Sequence, residues 1–232
     1  MAKSTYLELC QAARRACAIA GTNAGPVSVT GQTGEYHKLV EWVALSDQEL
    51  QSRWFNWDFL HVSTWTTSTI IGVDAVSAPA DLGTWDEDSF YLDYTLAANQ
   101  KLSIMGYKLW RNTHRQGVQV NAKPTDVVIK PDQSLILYQP PVAVYSLSAD
   151  YWKRPAKMTA NADVSPIPEE YERIIISRVK MLYAEDAGSG VLLQSASIEF
   201  DDLLDKLEAK YLPDQQARRM SAAQAPMTVR PE

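Results

Sequence analysis

Lysine and arginine are in the minority in this 232-residue chain, 22 against 28 Asp and Glu, leaving a net charge of −6. No stretch gathers enough of them to neutralise a run of phosphates, which excludes tight nucleic-acid binding as the main role. An acidic surface instead lets a polyanion pass without adhering, because like charges repel. Cysteine is nearly absent: Cys10 and Cys17 are the only two. They lie seven residues apart in a helix-like run, where both fall on one face as small apolar side chains. That spacing suggests neither a disulfide framework nor a cysteine zinc site, and a reducing place of synthesis fits. No apolar run is long enough to span a bilayer, and the N-terminus leads into a polar-faced helix without an apolar signal region. The expectation is a chain made in the cytosol that stays soluble and has no membrane partner.

Chemistry-bearing patterns are also scarce. His37, His61 and His114 have no Cys, Asp or Glu at zinc-ligand spacing around them, so the spacing predicts no metal ligand. No G-x-S-x-G elbow is present to carry a nucleophilic serine. The segment Gly25 to Thr33 superficially resembles a phosphate-binding loop. Its glycines are one residue too far apart, Gln32 stands where lysine is needed, and a helix precedes it where the motif requires a strand. Acidic neighbours occur at Asp86 to Asp88, Glu169 and Glu170, Glu185 and Asp186, and Asp201 and Asp202. Adjacent helical residues point about 100° apart, however, and seldom chelate one ion. No catalytic residue, cofactor-binding residue or cofactor is expected, and the chain reads as a non-enzyme.

What is present is two kinds of periodicity in blocks. Thr5 and Glu8 form a capping-box pattern, and Tyr6, Leu9, Cys10, Ala13, Cys17 and Ala20 then recur at helical spacing up to Gly21. A second helix is predicted over about Thr33 to Arg53, carrying Tyr36, Leu39, Val40, Val43 and Leu50. From Trp54 the chain turns rich in Trp, Thr, Val and Ile, which favours extended structure. Strands are predicted at Asp126 to Lys130, at Ser134 to Tyr138 beyond a Pro131–Asp132 turn, and at Val142 to Lys153. In the last of these, Tyr145, Leu147, Ala149 and Tyr151 alternate with polar residues, as a half-buried antiparallel strand does. Ala75 to Ser89 reads as an irregular acidic loop and Leu102 to Thr113 as a short helix. Helical periodicity returns after Pro168, with Tyr171, Ile174, Ile175, Leu182 and Tyr183 in a third helix to about Asp186. A fourth places Ala196, Phe200, Leu203, Leu204, Leu207 and Tyr211 on one stripe before Pro213.

The predicted class is α+β: a four-helix core of two N-terminal and two C-terminal helices, an inserted antiparallel β-rich domain and an extended C-terminal tail. The boundaries are 1–58 and 156–212 for the helical core, 59–155 for the insert and 213–232 for the arm. The arm has no apolar period and cannot build a core alone. Its scattered anchors, Met220, Met227 and Val229 beside Arg218, Arg219 and Arg230, suit folding onto a partner. Seven tryptophans are an excess. Core packing is their leading reading; Trp65, Trp85 and Trp110 are the candidates for a tail-side or subunit interface, and a glycan-stacking surface is the alternative.

Several segments together resemble the head-to-tail adaptor, or connector, proteins of tailed bacteriophages. They are Tyr6 to Arg15, Gly21 to Gly34, Leu39 to Trp42, Asn56 to Leu60, Trp85 to Phe90, Pro131 to Leu137, Tyr151 to Pro155 and Ile167 to Tyr171, in the family's order over about residues 5–211. The resemblance implies a virion structural protein of the neck between capsid and tail. It further implies a homo-oligomeric ring, usually of twelve copies, under the portal protein, with DNA passing through without specific binding. A β domain would face the downstream tail protein, and C-terminal segments would grip the portal. The non-viral-neck alternative is a virion module that binds glycans through the tryptophans of the insert.

Overall fold

Thr5 opens helix α1 (Tyr6–Ala16) with a closed capping box. Its Oγ1 accepts from the Glu8 N–H at 3.3 Å, and Glu8 Oε2 accepts from the Thr5 N–H at 2.8 Å. The Thr5 N–H and the Thr5 hydroxyl, which also donates to Oε2 at 2.9 Å, hold the Glu8 carboxyl below its ordinary value. The protein is described from a computed structural model covering residues 3–19, 25–93, 99–117 and 119–212. These fall into two compact units, one within Met1–Phe59 and Pro155–Glu232, the other within Leu60–Arg154. Among the described residues the class is mixed α+β, with five α-helices and two sheets. No helix among them is long and apolar enough to cross a membrane.

In the helical unit, α2 (Gly34–Ser52) buries Leu39, Val40, Val43, Ala44 and Leu50, and α1 buries Tyr6, Leu9, Cys10 and Ala13. Both helices pack on α4 (Arg173–Asp186), which also packs on α5 (Gly190–Tyr211). From the predicted stripes Ile174 and Ile175 on α4 and Ala196, Leu204 and Leu207 on α5 are buried, and α4 also buries Val179, which the stripe did not include. Cys10 and Cys17 are buried thiols, and burial pushes Cys10 up to about 12 and Cys17 up to about 11, so both stay protonated and inert. Arg178 on α4 pairs with Glu49 on α2 at 2.9 Å, and Lys180 on α4 with Glu199 on α5 at 2.8 Å.

The segment that returns to these helices is tied down by a buried polar node. Asp47 of α2 accepts from Ser165 Oγ at 2.5 Å and from Gln51 Nε2 at 2.7 Å. Gln51 also clasps the Ala156 backbone, accepting its N–H at 3.0 Å and donating to its carbonyl at 3.2 Å. Burial pushes the Asp47 carboxyl up to about 6, although the Ser165 and Gln51 hydrogen bonds favour the charged form.

Trp54 does not begin the β region. Trp57 is fully buried in the helical unit, donates to the Leu50 carbonyl at 3.0 Å and stacks on Phe59, and the first strand, β1 (His61–Ser68), starts only after a 3-10 turn. The sheet unit continues with β2 (Ala75–Val76), β3 (Leu82–Trp85), β4 (Tyr91–Leu92), β5 (Gln100–Lys101), β6 (Ser103–Ile104), α3 (Tyr107–Thr113), β7 (Asp126–Ile129), β8 (Leu135–Tyr138) and β9 (Ser146–Lys153). One edge of β9 pairs with β1, and its other edge with β3 and then β4, which pairs in turn with β5. The second sheet has the order β2-β8-β7-β6.

Three expectations for the insert need correction. Ala75 to Ser89 is not a loop, since it holds β2 and β3; strands of two and four residues are too short to show a period, and their partners β8 and β9 lie far along the chain. The helix predicted from Leu102 begins only at Tyr107, because Leu102 is buried in the sheet core, Ser103 and Ile104 pair with β7 and Gly106 is the N-cap. The sheets are not wholly antiparallel either, as β6 runs parallel to β7.

Alternation along β9 sorts its side chains: Leu147, Ala149 and Tyr151 enter a core with Trp85, Phe90, Leu92, Leu102, Val127, Leu135 and Leu137. Gly83 is required where β3 crosses β9. A Cβ there would meet Arg154 N at 2.9 Å and the Lys153 carbonyl carbon and oxygen at 3.0 Å, all backbone atoms that cannot swing away.

Candidate functional site

The sheet register places three chemically able side chains on one face. Tyr151 points into the core, so Asp150 and Trp152 point out. His61 of β1 pairs with Trp152, and Asp86 directly follows the core residue Trp85, which pairs with Tyr151. His61, Asp86 and Asp150 each offer a ligand atom, and these atoms lie within 4.8 Å of one another.

Local structure holds the group in place. The β1–β9 register shifts between Val62 and Trp65, and Thr64 within that bulge has φ +66. Its N–H donates to Asp150 Oδ1 at 2.7 Å, so the carboxylate anchors the bulge. The Asp150 N–H donates to Ser89 Oγ at 2.8 Å, and the Asp86 N–H donates to the Asp150 carbonyl at 3.0 Å. Asp86 Oδ1 accepts from the Asp88 N–H at 3.1 Å. The His61 ring lies 5.1 Å from that of Trp152. Histidine spacing could not reveal this group, because its members come from strands adjacent only in the folded sheet; the one legible trace is Asp150 at an outward position of the alternating strand.

Of the tryptophans singled out from sequence, Trp85 is 3% and Trp110 6% exposed. Trp85 sits among Trp65, Phe90 and Tyr151, and its Nε1 donates to the Gln133 carbonyl at 2.9 Å. Trp110 packs on Val128 and Ile136, and Trp65 is half-buried against the main core of the sheet unit. With Trp152 also half-buried, none of the unit's four tryptophans is an exposed platform, which removes the feature that stacking on a sugar needs. His37 lies on α2 and His114 caps α3. The anchors of the C-terminal arm, Arg218, Arg219, Met220, Met227, Val229 and Arg230, lie outside the described residues.

An apolar rim on the sheet unit had no sequence signal, because its members belong to no periodic run. Ile70, Ile71 and Val73 follow β1, Val142 and Val144 precede β9, and Val120 comes from the stretch before β7; all six side chains are exposed. Backbone bonds bring these stretches together: Thr69 N–H to the Tyr145 carbonyl at 2.9 Å, Gly72 N–H to Pro141 at 2.8 Å, and Val142 N–H to Ala122 at 3.2 Å. The six are therefore exposed apolar side chains on adjoining segments and not isolated surface valines.

Residues 4–230 match the profile of a protein family described as SU10 adaptor protein. No curated protein matches the sequence.

Proposed function

Since the chain belongs to the SU10 adaptor protein family, a family of phage head-to-tail adaptors, we propose that this virion structural protein forms a ring beneath the portal. The observation that carries the proposal is the extent of the family match, which runs through both units and into the arm. In this reading twelve copies close head to tail, which requires two different complementary faces on every subunit. The four helices form the ring's core, and the ring extends the DNA channel, with a net charge of −6 opposing adhesion of the DNA.

The insert, 59–155, faces the downstream tail protein. What supports this is the exposed rim of Ile70, Ile71, Val73, Val120, Val142 and Val144. Of the three tryptophans considered for contacts, Trp65 alone keeps appreciable surface in the single subunit. The arm, 213–232, grips the portal through Met220, Met227 and Val229, with Arg218, Arg219 and Arg230 supplying charge-assisted hydrogen bonds. No bond is made or broken in this role. Mixing the purified protein with its portal and imaging by electron microscopy tests it: a ring seated on the portal is expected, and bare portals overturn the proposal. Truncation after Leu212 is expected to abolish portal binding, and full retained affinity would remove the arm from the mechanism.

A further inference from the structure

We propose that His61, Asp86 and Asp150 form a binding site for one divalent first-row transition-metal ion on the outer face of the sheet unit. One imidazole nitrogen and two carboxylate oxygens, already within 4.8 Å of one another, converge from β1, the turn after β3 and β9. Ligand bonds of about 2.0–2.2 Å put neighbouring donors about 3–3.5 Å apart, so side-chain rotations of about an ångström close the site. Only Oδ1 of each carboxylate is engaged by a backbone N–H among the described residues, which leaves the second oxygen to face an ion.

Charge gives an independent reason. Elsewhere in this unit Asp81 pairs with Lys153, Asp88 with Lys101, Asp93 with Lys123 and Asp132 with Lys130, whereas among the described residues Asp74, Glu87 and Asp126 lack such a partner, like Asp86 and Asp150, but stand in no such cluster. Among the described residues Asp86 and Asp150 have no lysine or arginine partner, although they stand close enough to repel each other. A bound cation removes that repulsion. The donor set also selects its class: magnesium and calcium favour all-oxygen shells, whereas imidazole favours zinc and its first-row neighbours. Three protein ligands leave at least one position for water. The ion would cross-link three chain segments that meet only in the folded sheet, so it binds the native chain and not the unfolded one.

The test titrates the full-length chain with zinc and manganese by calorimetry and by competition with a chromogenic chelator. One zinc ion per chain is expected, with manganese weaker, and with calcium and magnesium at about a hundredfold excess failing to displace it. Zinc at about a hundredfold over Kd should raise the thermal midpoint by about 5–10 °C. His61→Ala and Asp86→Asn should each weaken zinc by at least about tenfold, while His37→Ala and His114→Ala leave it unchanged. Asp86→Asn keeps an oxygen to accept the Asp88 N–H, so it decides the matter if His61→Ala does not fold. Zinc binding that survives both variants, no binding at about millimolar zinc, or calcium binding of equal strength overturns the site. All of these readings are taken on the isolated chain, so neither their success nor their failure bears on the ring.

Discussion

The helical unit and the sheet unit are held by different means. In the helical unit, polar groups reach the interior: Ser46, Asp47, Gln51, Ser165, Glu172 and Ser177 are all buried, including both buried carboxylates among the described residues. In the sheet unit the core is aromatic and aliphatic bulk, from Trp85 and Phe90 to Leu147 and Tyr151, and the buried polar side chains there are the uncharged Thr69 and Ser148. A polar node specifies one arrangement, because it is satisfied only when α2 and the return segment meet correctly. Bulk specifies less and tolerates volume-conserving exchange, but its removal is costly. The helical unit should therefore respond to pH and the sheet unit to cavity formation.

The largest effect is expected from Trp85→Ala. It empties the centre of the sheet core and removes the bond to Gln133, lowering stability in chemical denaturation by about 3–5 kcal/mol. A loss below about 1 kcal/mol would break the contrast between the units.

Next comes Asp47→Asn, read as a difference from wild type across pH. The native carboxyl titrates near 6 against an ordinary 3.8, so the native state holds this proton more tightly than the unfolded one does. The stabilisation from protonated Asp47 is fully present below about 3.8 and is lost as pH rises through about 6, a change of about 3 kcal/mol. Wild type minus Asp47→Asn, followed by urea denaturation at several pH values, should fall by that order over this window. Glu199, Asp163 and Glu170, whose carboxyls are held below their ordinary values, bend both curves the opposite way and cancel in the difference. A flat difference would leave the node without its proposed electrostatic character.

The smallest effect, Gly83→Ala, separates bulk from backbone fit. The added methyl group meets the β9 backbone, and a loss of about 1–3 kcal/mol is expected, with the melting transition of the helical unit unchanged. A stabilising outcome would mean that β3 and β9 yield there at little cost.

The helical half was the more legible in the sequence because its signals are local. The Thr5–Glu8 box, the Leu39 to Leu50 stripe and the Ala196 to Leu207 stripe all lie within a few turns; they put the start of α1, both ends of α2 and the end of α5 within a residue or two, whereas α1 stops at Ala16, short of the Ala20 to which its apolar spacing pointed. β9 was legible for the same reason, through the alternation of Leu147, Ala149 and Tyr151 with Ser146, Ser148 and Asp150, although it starts at Ser146 and not at Val142 as predicted. β2, β4, β5 and β6 have two residues each, and partners far along the chain decide their state. The outward His61, Asp86 and Asp150 group and the apolar rim share that origin, since each is assembled by pairing across long sequence distances.

One pairing bears on how the chain comes to fold at all. His61 lies opposite Trp152, so the first and last strands of Leu60–Arg154 are neighbours and the unit's entrance and exit adjoin. Left unfolded, that stretch is a long loop which the helices must close before α1 and α2 can meet α4. Once its strands have paired, it behaves as a short connection of a few residues, which reduces the closure entropy by about 3 kcal/mol. The inserted sheet is thereby a folding aid to the helices that flank it, and an independently folding module placed between the same two ends should serve them equally well.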